Sequence, residues 1–118
     1  MHELIVKKSR FISYAAQADS EEKAKACITE ISRQHKKARH VAFAYITPNA
    51  TRYNDDGEPR GTAGLPLLSS IQRRNTESVV VVVVRYFGGV LLGKGGLIRA
   101  YGKAAGLALE ALLEESEK

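Results

Sequence analysis

A single cysteine, Cys27, leaves this chain without a disulfide framework and fits a reducing compartment. No apolar run approaches the roughly 20 residues that a bilayer span needs. Val79 to Val84 is too short, and Arg85 stops it. The layout of a signal peptide is missing as well, because Lys7, Lys8 and Arg10 follow rather than precede a short apolar patch. Repeats, linkers and low-complexity segments are also missing. These absences point to a cytoplasmic protein with no membrane partner. His2, His35 and His40 are scattered without metal-ligand spacing, and Ser69-Ser70 has no nucleophile-elbow context. No metal or nucleophilic constellation is legible, and no cofactor is expected.

What is present suits one domain over residues 1–118, long enough for a real core. Hydrophobic residues make up 44% and charged residues 26%, the balance of a soluble globular chain. A net charge of +5 biases the partner towards polyanions such as RNA, DNA or acidic proteins. The charges are segregated. Arg33, Lys36, Lys37, Arg39 and His40 form one basic run, and Arg85, Lys94, Arg99 and Lys103 a second, dispersed set. Acids gather at Asp55, Asp56 and Glu58 and in the tail from Glu110 to Glu117.

Leu4 to Val6 and Phe11 to Ala15 read as strand segments, broken or bulged at Lys7 to Arg10. Asp19 and Glu22 have the spacing of a capping box, and Ala24, Cys27, Ile28 and Ile31 then make one apolar helix face. Cys27 on that face reads as a buried small residue rather than a reactive thiol. Val41 to Ile46 is a strand ended by the turn signal Pro48-Asn49, and Thr51 to Gly64 reads as irregular. Leu65 to Ile71 suits a short helix with Pro66 in its first turn. Six consecutive valines, Val79 to Val84, require a strand buried on both faces. Glycine-rich chain follows, and then a last helix with Leu97, Tyr101, Ala104, Ala105, Ala108 and Leu112 at helical spacing.

Two segments could carry chemistry. Gly88, Gly89, Gly93, Gly95 and Gly96, mixed with Arg85 and Lys94, form a bare basic loop before a helix N-terminus, where a phosphate could dock with help from Arg99 and Lys103. The spacing fits neither a P-loop nor the Rossmann fingerprint. A tight strand-to-helix connection that needs small residues is the alternative, and the residues leave both open. In Asp55-Asp56-Gly57-Glu58-Pro59-Arg60-Gly61-Thr62, three carboxylates could bind a divalent cation, accept backbone hydrogen bonds or pair with Arg60, Arg85 or Lys94. Taken alone, this segment is best read as a turn locked by Asx-type hydrogen bonds. His35, at a basic helix end, would favour the helix dipole if charged. His40 could face the core or the acidic loop. Tyr86 could stack on bases, and Phe87 is expected to anchor the strand end in the core.

Together, the stretches from Asp55 to Gly64 and from Val81 to Gly102 resemble the N-terminal domain of the IMPACT/YigZ family, with Arg10 to Ile12 and the His40 strand matching in order. The likeness covers nearly the whole chain. It implies an α/β two-layer sandwich similar to domain 2 of a small-subunit ribosomal protein: a mixed four-stranded sheet, helices on one face and a left-handed βαβ crossover. The family signature would fall on Asp55, Asp56, Gly57, Glu58, Gly61, Thr62, Gly64, Arg85, Tyr86, Gly88, Gly89, Gly93, Gly95, Gly96, Arg99 and Tyr101. Arg60 stands where this family usually has a small residue. Bacterial members generally continue into a ferredoxin-like domain, which is not expected in this chain.

Eukaryotic members of the family regulate translation in amino-acid stress, by binding the activator of a kinase. For bacterial members, ribosome or nucleic-acid binding is the usual proposal. The resemblance therefore implies a translation-linked regulatory binding domain that contacts RNA, the ribosome or a translation-associated protein. The competing reading is an enzyme that holds a phosphate or nucleotide ligand between the acidic and glycine-rich loops. Whether those loops meet separates one site from two unrelated turns.

Overall fold

The computed structural model describes residues 1–116. Its strands are β1 (His2–Val6), β2 (Ser9–Gln17), β3 (His40–Thr47), β4 (Ala50–Asn54) and β5 (Val79–Tyr86). Its helices are α1 (Glu21–Gln34), α2 (Gly64–Arg73) and α3 (Gly93–Ser116). The valine run is the middle of the sheet. The strand order is β1-β2-β5-β3-β4, so β5 is bonded on both edges. Its alternate side chains divide between two cores. Val79, Val81 and Val83 pack with Leu67 and Ile71 of α2 and Leu97 and Tyr101 of α3. Val80, Val82 and Val84 pack with Ala24 and Ile31 of α1. β-branched residues on both sides of the pleat fit a strand covered on both faces.

The α/β class is as expected, but three details of the architecture are not. The sheet has five strands rather than four, and every pairing is antiparallel rather than mixed. The added strand is β4, which apart from Ala50 falls in the segment read as irregular. It lies on an edge and is largely exposed, so it carries no alternating apolar pattern. The helices also lie on both faces, α1 opposite α2 and α3, because the two valine faces each need a cover.

The left-handed crossover follows from this topology. β2 and β3 run the same way with β5 between them and are joined by α1. β4 and β5 run the same way with β3 between them and are joined by α2 on the other face. With the joined strands pointing up, both crossings step to the same side, one in front of the sheet and one behind it. They therefore have opposite hands, and one of them has the rare left-handed sense.

Local details also shift. Lys7 and Lys8 are not a break but the two-residue turn of the β1–β2 hairpin, with φ of 46° and 70° as a primed turn requires. The cap of α1 is Ser20, whose Oγ accepts from the Lys23 amide, while Asp19 pairs with the Lys23 ammonium at 2.9 Å. Cys27 is half-buried against the α1 core, and burial pushes its thiol up. α3 starts at Gly93, so Lys94, Gly95 and Gly96 belong to its first turn and not to a loop. Glu117, the last acid of the tail, lies outside the described residues. Among those residues, no helix is long and apolar enough to cross a membrane.

Candidate functional site

Arg85 continues the 79, 81, 83 face of β5 and therefore points towards α2 and α3. It is 5% exposed. Such a cation needs a partner, and the acidic loop supplies Glu58, also buried. Arg85 Nη1 donates to both carboxylate oxygens of Glu58, at 2.9 and 2.8 Å. Tyr101 of α3 donates its hydroxyl to the same carboxylate. Burial and this hydrogen bond push the Tyr101 hydroxyl far up, so it stays a donor. His40 sits directly across from Arg85 in the β3–β5 register. Its Nδ1 donates to the Asp56 carbonyl at 2.7 Å, and its Nε2 lies 3.3 Å from Glu58. Ser9, at the start of β2, approaches Arg85 Nε and Nη2 at 3.4 Å and accepts from the Gly88 amide at 3.3 Å. The acidic segment and the chain around β5 thus meet, and Glu58 is their meeting point.

The other acids serve the backbone. Asp55 accepts from the amides of Gly61, Ala63 and Gly64 at 2.9, 3.1 and 2.8 Å, which caps α2 where Ala63 has no side chain to do so. Burial raises its pKa, but these amides and the charge of Arg60 outweigh that and hold the carboxyl below the usual range. Asp56 accepts from the Val41 amide at 2.6 Å. The Thr62 hydroxyl donates to the Pro59 carbonyl at 2.5 Å. The turn reading therefore holds for Asp55, Asp56 and Thr62, while Glu58 alone reaches into the site. Each carboxylate already faces donors of the chain, and among the described residues no group of three or more ligating side chains could hold a metal ion.

Above the Glu58–Arg85 pair a pocket of about 290 Å³ opens between β5 and the start of α3. Leu91, Leu92, Leu97 and Phe87 form its apolar walls, and Arg39 and Lys94 stand on it as exposed cations. Gly88 must lack a side chain, since a Cβ there would lie 2.1 Å from the Lys8 carbonyl carbon and oxygen. Phe87 is not a core anchor. It is 37% exposed, with the guanidinium carbons of Arg39 and Arg85 at 4.9 and 5.5 Å from its ring centre.

The sequence-derived set of binding candidates splits three ways. Tyr86 alternates to the opposite face of the sheet, where its hydroxyl meets His35 Nδ1 at 2.6 Å and Tyr14 meets His35 Nε2 at 2.7 Å. Burial first, and the nearby charge of Arg10 second, lower the His35 pKa, so the neutral ring is favoured. Lys94, with Gly88 and Gly89 nearby in the chain, stays with the Arg85 pocket. Gly95 and Gly96 lie in the first turn of α3, and Arg99 and Lys103 follow one turn apart, overlooking a different groove against α2. Arg60 is exposed beside the acidic turn. Sequence reasoning missed Ser9, which carries no signal of its own, and Arg39, visible only as part of a basic run.

Comparison with known proteins bears on the family and the fold. The family model described as the Impact N-terminal domain matches residues 7–109. The Bacillus subtilis IMPACT family member YvyE is 45% identical over 106 residues, covering 87% of this chain and 49% of that protein. A crystal structure of a hypothetical protein superposes with a TM-score of 0.89 at 40% identity, over 94% of this chain and 56% of that one. The structure of the two-domain translational regulator Yih1 superposes with a TM-score of 0.56 at 29% identity, over 90% of this chain and 45% of that one. The chain spans about half the length of the bacterial relatives it matches, 49% to 57%.

Proposed function

The chain belongs to the Impact N-terminal domain family, and on that premise we propose that it is a translation-linked regulatory binding domain of the cytoplasm that contacts RNA, free or in the ribosome, at the pocket beside β5. One observation carries the reading. The charges inside the pocket satisfy one another, whereas Arg39 and Lys94 at its rim pair with no carboxylate among the described residues. Unpaired cations beside the exposed ring of Phe87 offer phosphate contacts and a stacking surface together. The translational regulator with a similar domain supports the biological setting. The enzyme reading loses ground because Asp55, Asp56 and Glu58 are committed to amides, Arg85 and Tyr101.

The test is fluorescence anisotropy of a labelled single-stranded RNA against rising salt. Affinity should fall steeply with salt. Lys94→Ala and Arg39→Ala should each lower the slope of log affinity against log salt by about 0.7, and Phe87→Ala should weaken binding without changing that slope. Absence of binding at low salt overturns the reading.

A further inference from the structure

The flank formed by α2 and α3 carries a second surface with different chemistry. The two helices part along their outer sides into a groove of about 490 Å³, lined by Leu65 and Arg73 of α2 and by Ile98, Arg99 and Lys103 of α3. The groove continues past Arg74 to Leu107. From Ile98 to Leu107 it follows α3 for roughly 14 Å at helical rise. Its floor is apolar and open, since Leu65, Ile98 and Leu107 are 40%, 45% and 37% exposed. Its walls are positive. Arg73, Arg99 and Lys103 are exposed and pair with no carboxylate among the described residues. Glu110, the one acid that lines it among the described residues, is already neutralised by Arg74 at 2.9 Å.

We propose that this groove docks an acidic amphipathic segment of a partner protein, a helix that lays apolar side chains on Leu65, Ile98 and Leu107 and aligns carboxylates with Arg73, Arg99 and Lys103. The floor favours a peptide over a nucleic acid, since among the described residues no aromatic side chain lines the groove to stack a base. The helix-in-groove mode needs only an apolar strip with complementary charge along it. The proposal is independent of the RNA reading, because Arg39, Phe87 and Lys94 do not line this groove.

The probe is a synthetic peptide of about 15 residues with leucines on one helical face and glutamates flanking them, titrated into the isotope-labelled chain at low salt. Saturable binding with amide shifts centred on Leu65, Ile98, Arg99 and Lys103 is expected. A peptide with glutamine for each glutamate should bind about tenfold more weakly. Two variants separate the terms. Arg73→Gln with Lys103→Gln, and Ile98→Ser alone, should each weaken peptide binding, whereas a phosphate site would respond only to the first. The proposal is overturned if the acidic peptide leaves these amides unshifted or if the glutamine peptide binds equally well. It is also overturned if an oligouridylate shifts the same amides with Ile98→Ser making no difference, or if self-association of the free chain covers Ile98.

Discussion

Arg85 ends the valine run, and its surroundings show how a cation is kept at the edge of an apolar core. Glu58 meets its charge, Tyr101 satisfies a further lone pair of that carboxylate, and Ser9 and His40 close the remaining sides. Removing one member of a buried pair leaves the other unpaired, at a cost of about 3–5 kcal/mol, whereas apolar replacement of both costs less. Urea unfolding of Arg85→Ala and Glu58→Ala should show losses of that order, with Arg85→Met/Glu58→Leu clearly more stable than either. Equal losses in all three would mean that the cost comes from losing the pair itself and not from leaving one charge unpaired. Sequence reasoning reached Glu58 and Arg85 as candidates because a carboxylate and a cation near glycines are visible as letters. It misplaced Phe87, because an aromatic beside a buried strand suits the core equally well until the strand's end is located.

At the scale of elements, the acidic turn is a helix cap. The amides of Gly61, Ala63 and Gly64 converge on Asp55, and the last two are among those that a helix leaves without internal partners. They hold its folded pKa below the ordinary value of 3.8. The unfolded chain therefore binds a proton more readily. The cap's stabilisation is fully present above about pH 4 and is lost as pH falls through the lower folded value. Stability measured by chemical denaturation between about pH 5 and pH 2 should fall less steeply in Asp55→Asn than in the parent chain; parallel curves would remove Asp55 from the acid response. α1, α2 and β5 were legible because each buries a patterned face. β4 was not, since an exposed edge strand held by its hairpin with β3 needs no apolar residues of its own.

Across the whole molecule, β5 links the two cores, and every helix packs on one of its faces. Opening β5 would uncover both cores at once, so its amides can exchange only through unfolding of the entire domain. Native-state hydrogen exchange should find Val80 to Val84 the slowest amides, close to the global stability, and those of the edge strands β1 and β4 much faster. Comparable protection in β4 would contradict a sheet organised about β5. The sequence by itself determined the α/β class, the doubly buried central strand and the residue types at its exit, because hydrophobic periodicity and charge are local properties of a chain. Only the tertiary structure decided which residues share a site. The pleat sends Arg85 and Tyr86 to opposite faces, the β3 register sets His40 beside Arg85, and the crossing through α2 sets the acidic turn against the end of β5. Each of these depends on contacts between residues far apart in the chain, where no local pattern records the partner.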